Sequence, residues 1–254
     1  MSRNRRHKRV AADPVPQLEK IADAIDEKLP EEVKHVHFDG GTSHEHNAKL
    51  RIRPQQITIG LPMDELLFSQ FLVNFIGLDW MPWDDFATTT STYLPSARNE
   101  IHNIFLKKHD TPHLLMLDSD VLPPPRLIET LLLHRKDMVG GWYRKKEKYP
   151  IKNIQGETTM IQRPVVYDYG RTDEAGILYY QQRLERGTGL ESVDAAGAGC
   201  WLMSRKVAEA LGESPYDMNS GGEDMLICKK IKDKGFEIFV DWNMACAHTG
   251  VFFV

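Results

Sequence analysis

The chain has 254 residues and a formal net charge of −4 at pH 7, with 41% hydrophobic and 27% charged residues. That is long enough for one large domain or two small ones with a real core, has the make-up of an ordinary globular protein, and excludes a uniformly basic nucleic-acid binder. The most apolar stretch, Leu66 to Leu78, is broken by Ser69, Gln70 and Asn74, so no segment offers the ~20 apolar residues that cross a bilayer. No apolar run follows the basic N-terminus, so a secretory signal is not expected. Cys200, Cys228 and Cys246 form no CxxC and cannot all pair, which fits a reducing cytoplasm.

Residues 1–55 read as an extension, with residues 56–254 as the main domain. Arg3, Arg5, Arg6, Lys8 and Arg9 make a basic arm. Leu18, Ile21, Ala22, Ile25 and Leu29 then recur at helical spacing, closed by Pro30. From Ile57 the pattern alternates. Ile57 to Pro62 reads as a short buried strand, and residues 64–77 as a helix carrying Leu67, Phe68, Phe71, Leu72 and Phe75. Phe86 to Thr92 is β-branched and reads as a strand. Ser96 is the expected N-cap of a helix reaching Lys108.

His113-Leu-Leu-Met-Leu-Asp118 is a continuous apolar run ending in an acid, as in a strand buried on both faces. Pro123 to Pro125 open a helix carrying Leu127, Ile128, Leu131 and Leu132, and Met138 to Tyr143 is the next strand. Shorter strands are expected at Val165–Tyr169 and Ile177–Gln181. The small-residue stretch Val193–Met203 leads into a helix at Arg205–Leu211. A helix from Gly221-Gly222-Glu223-Asp224 to Lys234 precedes a strand at Phe236–Asp241. Strands alternating with helices predict an α/β domain whose central sheet is mostly parallel and flanked by helices.

Four groups of residues can carry chemistry. Asp118-Ser119-Asp120 ends the buried strand, where ligands of open α/β sheets bind. If the chain turns there, two carboxylates offer hard oxygens to Mg²⁺ or Mn²⁺; otherwise the motif caps the next helix. Glu223 and Asp224 start a helix, where acids suit the dipole, and one of them can serve as a general base. Gly221 and Gly222 before them permit a ligand to approach the backbone closely. His248, in the small-residue run Ala245 to Gly250, is either structural or a nitrogen ligand to the same metal. Arg98, near a helix N-terminus, pairs with a phosphate or with a nearby acid. Arg144, Lys145, Lys146 and Lys148 read as a solvated charge run.

In order and spacing these pieces resemble metal-dependent glycosyltransferases of the GT-A fold, near the family 2-like group. The resemblance runs from Ile57 to Gly250. It is carried by Ile57–Pro62, Ala97-Arg98-Asn99, Leu115-Met-Leu-Asp-Ser-Asp120, Gly197-Ala-Gly-Cys-Trp-Leu-Met203, Gly222-Glu-Asp224 and His248. It implies a nucleoside-diphosphate sugar donor and an acceptor hydroxyl. Leu61, Pro62, Arg98, Asp118, Ser119 and Asp120 would contact the donor, and Gly221, Gly222 and Trp201 would lie on the acceptor side. Asp118, Asp120 and His248 would hold Mn²⁺ or Mg²⁺. Asp224 would be the base of an inverting reaction, and Glu223 would position the acceptor. Residues 1–55 have no counterpart in the family, and Met63-Asp64-Glu65 replaces its usual small residues. The resemblance leaves the acceptor open; the basic arm makes nucleic acid, with modified DNA bases, one candidate. Two other readings are a sugar-phosphate nucleotidyltransferase, whose early glycine-rich loop is missing here, and a non-catalytic nucleic-acid-binding protein.

Overall fold

The computed structural model describes residues 55–63, 69–89, 91–152, 157–172, 174, 178–217 and 222–249. The N-terminal arm and its helix, the start of the helix expected at 64–77, and Gly221 lie outside the described residues. In chain order the first half runs β1 (Thr58–Pro62), α1 (Ser69–Ile76), β2 (Asp85–Thr89), α2 (Leu94–Lys108), β3 (His113–Leu117), β4 (Val121–Leu122), α3 (Leu127–Leu133) and β5 (Met138–Trp142). An antiparallel hairpin of β6 (Tyr149–Lys152) and β7 (Thr158–Ile161) follows, then β8 (Val166–Thr172) and β9 (Leu178–Gln182). The second half continues with β10 (Leu190–Val193), β11 (Ala195–Ala196), β12 (Cys200–Ser204), α4 (Arg205–Leu211), α5 (Glu223–Asp233), β13 (Ile238–Ala245) and β14 (Ala247–His248).

The central sheet has seven strands in the order β2-β1-β3-β12-β5-β13-β10. β1 pairs in parallel with β2 and β3, and β13 with β5, whereas β12 is antiparallel to both β3 and β5. Because β12 reverses against both neighbours, β3 and β5 point the same way. The expected α/β domain with a mostly parallel sheet is therefore present, with β12 reversed at its centre and β10 antiparallel to β13 at one edge.

The apolar run of β3 feeds both faces of this sheet, as period-two side chains must. Leu114 and Met116 pack with Ile101 and Phe105 of α2, Val207 of α4 and Ile227 and Ile231 of α5. Leu115 and Leu117 pack with Phe71 of α1 and Leu127, Ile128 and Leu131 of α3. Helices thus cover both sides. The carboxyl ends of β1 and β3 fall at one edge, since Thr58 lies opposite Leu114 and Gly60 opposite Met116.

Several boundaries differ from expectation: the strand expected at Phe86–Thr92 is Asp85–Thr89, that at Val165–Tyr169 is Val166–Thr172, that at Phe236–Asp241 is Ile238–Ala245, and the helix expected to open at Pro123–Pro125 begins at Leu127. Ser96 is not the N-cap of α2: the helix starts at Leu94, with Tyr93 in the cap position and no side-chain cap bond. Pro95 explains the shift, because proline suits the first turn, where its missing N–H has no partner to lose.

Candidate active site

The Asp-Ser-Asp segment does turn. The N–H of Val121 donates to the carbonyl of Asp118 at 3.1 Å, closing a β-turn directly after β3. The two carboxylates are thereby sent to different partners.

Asp118 faces Arg98. The guanidinium Nη2 donates to Asp118 Oδ2 at 2.7 Å, and Nη1 donates to Glu223 Oε1 and, at 3.0 Å, to Asp224 Oδ1. Arg98 is only 1% exposed. Burial alone would push its guanidinium down, but Asp118, Asp224 and Glu223 hold it well above its ordinary range. The acids answer in kind. Burial raises Glu223 to about 7, with Arg98 opposing and the charges of Asp224 and Asp118 adding. Burial also raises Asp118 above the usual carboxylate range against the pull of Arg98. Oδ1 of Asp118 is buried and has no hydrogen-bond partner.

Local sequence sets this cluster. Gly222 caps α5 with φ +87°, in the left-handed region that favours glycine, and puts Glu223 and Asp224 into the helix's first turn. The N–H groups there favour negative charge. Asp224 Oδ1 also accepts the N–H of Ala198 at 3.2 Å. Gly199, opposite the end of β3, donates its N–H to the buried Tyr143 hydroxyl at 3.1 Å. A Cβ there would meet Asp118 Oδ2 at 2.7 Å and the Tyr143 hydroxyl at 2.8 Å, so the close approach requires glycine.

Asp120 faces the other way. β14 pairs with β4 so that His248 lies opposite Val121, and the Thr249 N–H donates to the Asp120 carbonyl at 2.7 Å. This brings His248 Nε2 to 3.4 Å from Asp120 Oδ2. His248 Nδ1 lies 2.9 Å from the Arg144 carbonyl, which only accepts, so Nδ1 donates there and fixes the ring with Nε2 toward Asp120. Tyr143 packs edge-on to the imidazole at 5.1 Å. Lys146 Nζ reaches the same Oδ2 at 2.7 Å. Burial would raise Asp120, but His248 and Lys146 outweigh it and hold the acid at about 2.

The structure thus joins Arg98, Asp118, Glu223 and Asp224 in one group and Asp120 with His248 in a second. Among the described residues, no three His, Cys, Asp or Glu side chains form a ready metal cage. The donors nonetheless fit a divalent ion of the Mg²⁺ or Mn²⁺ kind. Such ions can be held by one or two protein ligands with other positions left to substrate phosphates, and the Arg144 carbonyl orients the His248 ring.

Other expected residues stand apart from these two groups. Trp201 is 2% exposed and packs in the core with Met116 and Ile227, and Leu61 is buried against Leu117 and Tyr143. Pro62 ends β1, and Ser119 sits half-buried in the turn. Sequence reasoning missed Tyr143, the pairing of Lys146 with Asp120, and a cleft of about 380 Å³ lined by Tyr93, Leu94, Lys145, Tyr167, Glu223 and Asp224. The signal for Tyr143 and Lys146 was their position directly beyond β5, at the edge where β3 also ends. A second cleft of about 480 Å³ runs along α2 past Asn99 and Asn103 and holds none of the expected residues.

No family model matches the chain, and no curated protein sequence does. Among solved structures it is similar to A197 from STIV, at 16% identity over 77% of this chain and 86% of that one, with a TM-score of 0.48. It is also similar to GalNAc-T7 solved with UDP, GalNAc and Mn²⁺, at 14% identity and TM-score 0.47, over 76% of this chain and 43% of that one. At that distance neither likeness assigns a function, which rests on the chain's own residues.

Proposed function

We propose that the chain is a divalent-metal-dependent glycosyltransferase of the GT-A type, moving a sugar from a nucleoside diphosphate to an acceptor hydroxyl. One observation carries this reading. At the carboxyl end of β3 a single turn gives one acid, Asp118, to the buried Arg98–Glu223–Asp224 cluster, and the other, Asp120, to His248.

The two acids then have separate tasks. Asp120 and His248 would hold Mn²⁺ or Mg²⁺, which when bound would supply positive charge for the leaving diphosphate. Leu61 and Pro62, buried where β1 ends level with β3, would support the nucleobase side of the donor site from beneath. Asp224 lines the cleft with its side chain 27% exposed, and its Oδ1 is fixed by Arg98 and the Ala198 N–H. Its Oδ2 takes the proton of the acceptor hydroxyl as the new glycosidic bond forms. Arg98 orients the base, and Glu223, held on the same guanidinium, shapes the acceptor side. Tyr93 and Tyr167 give that cleft aromatic walls.

The test is a panel of nucleoside-diphosphate sugars incubated with the protein and Mn²⁺, with release of nucleoside diphosphate measured by chromatography. A true donor at 100 times its Kd raises stability by about 2.7 kcal/mol. Release that requires metal and is lost in Asp120→Asn supports the reading. No release and no thermal shift with any donor overturns it.

A further inference from the structure

The geometry points to a second role at the Asp120–His248 pair: we propose that Lys146 holds Asp120 in the metal-free chain and transfers its ammonium to the donor's diphosphate once a divalent ion is bound. The inference rests on reading Asp120 and His248 as the metal ligands. It adds a residue that trades one anion for another.

Charge at one atom carries the argument. Asp120 Oδ2 is approached by Lys146 Nζ at 2.7 Å and by His248 Nε2 at 3.4 Å. Lys146 is the nearer of the two partners, and His248 is turned by its Nδ1 contact to the Arg144 carbonyl. An oxygen proposed to take a divalent ion is thus already met by an ammonium, and Lys146 supplies it. Arg98 does not, because its guanidinium is committed to Asp118, Glu223 and Asp224.

Mobility follows from exposure. The Lys146 side chain is 41% exposed and that of Asp120 29%, against 2% for Arg98. Arg98 is fixed in place, whereas Lys146 stands on the segment beyond β5 with a flexible stem and a compact ammonium that can turn from one anion to another. A divalent ion on Asp120 displaces it by like-charge repulsion. The nearest new anion on that side is the diphosphate, which a lysine ammonium binds as a point charge. In the metal-free chain the same contact competes with the metal, so metal and diphosphate each favour the other through one side chain, a reciprocal coupling.

Lys146→Met separates the two halves of the proposal. Mn²⁺ alone is titrated by the electron paramagnetic resonance of the free ion, and pyrophosphate by calorimetry in saturating Mg²⁺. Both are done at 0.15 M salt, where charges beyond about 8 Å are largely screened. The expected result is Mn²⁺ bound about fivefold more tightly and pyrophosphate about tenfold more weakly than in the wild type. Lys146→Arg, which keeps the charge, should restore most of the pyrophosphate affinity. Unchanged or weaker Mn²⁺ binding in Lys146→Met overturns the proposal, and so does unchanged pyrophosphate binding. Asp120→Asn distinguishes this failure from failure of the metal reading. If Asp120→Asn abolishes Mn²⁺ binding while Lys146→Met leaves it unchanged, the ligand assignment stands and the exchange falls. If Asp120→Asn binds Mn²⁺ like the wild type, both fall.

Discussion

Arg98 and Asp118 meet at 2.7 Å across the gap between α2 and the end of β3, and the arginine is the more deeply buried of the two. A guanidinium so placed holds acids in position; its charge is met by Asp118, Glu223 and Asp224 before any substrate arrives.

Removing that cation leaves several carboxylates in a low-dielectric site. Arg98→Met should cost about 3–5 kcal/mol, the usual result of breaking a buried pair from one side. In a domain of this size that lowers Tm by about 6–20 °C. Arg98→Lys should recover little, because one ammonium lacks the planar fork that serves separate acids. Calorimetry checks this, and a loss below about 1 kcal/mol for Arg98→Met would show that the acids do not depend on it.

Glu223 gives a pH signature. Its folded value near 7 lies above the 4.5 of a free glutamate, so the folded state holds the proton more tightly than the unfolded chain. The stabilisation from that proton is complete below about pH 4.5 and is lost as pH rises through 7. Relative to wild type, Glu223→Gln should therefore gain stability between pH 5 and 8, by up to about 3 kcal/mol. Denaturant melts of both proteins across that range give the difference, and a pH-independent gap would contradict a raised Glu223.

Asp224→Asn keeps shape and removes the base. Transfer should fall in kcat by about 10²- to 10⁴-fold while donor affinity stays within about twofold, because a base acts only as the proton moves. Single-turnover kinetics with a donor identified from the panel measure both. Full activity in this variant would assign Asp224 to the helix start alone.

Gly199→Ala tests how tightly the turn is packed. The added methyl meets Asp118 Oδ2 and the Tyr143 hydroxyl at well under 3 Å, and one of them must move. The expected cost is about 1–3 kcal/mol of stability, the range for overpacking, with a larger fractional loss of donor binding. A variant as stable as the wild type, with unchanged donor binding, would mean that the turn yields freely.

Much of the fold could be read from local pattern. The β3 run His113 to Leu117 is apolar at successive positions because it serves both faces of the sheet, and Asp118 marks where it leaves the core. The helix start at Gly222 was legible from its glycine and acids. The site's partners were not. Arg98 at a helix N-terminus suits a phosphate or an acid equally well, and its choice depends on acids 20, 125 and 126 positions away. Lys146 read as part of a solvated run because Asp120, its partner, lies 26 positions earlier. The two-residue strands β4 and β14 are too short to show a period, yet their pairing sets His248 against Asp120.

The reversed strand β12 changes the chemistry available at this edge. The parallel strands β1, β3 and β5 all end here, but β12 begins here, bringing its entry loop to the same place. The amides of that loop are already in use, Ala198 on the carboxylate of Asp224 and Gly199 on the phenol of Tyr143. One inverted strand thus supplies hydrogen-bond donors directly from the peptide backbone. They carry no charge to be neutralised, have no side-chain torsion to freeze, and cannot be removed by changing a side chain, except by putting proline in their place.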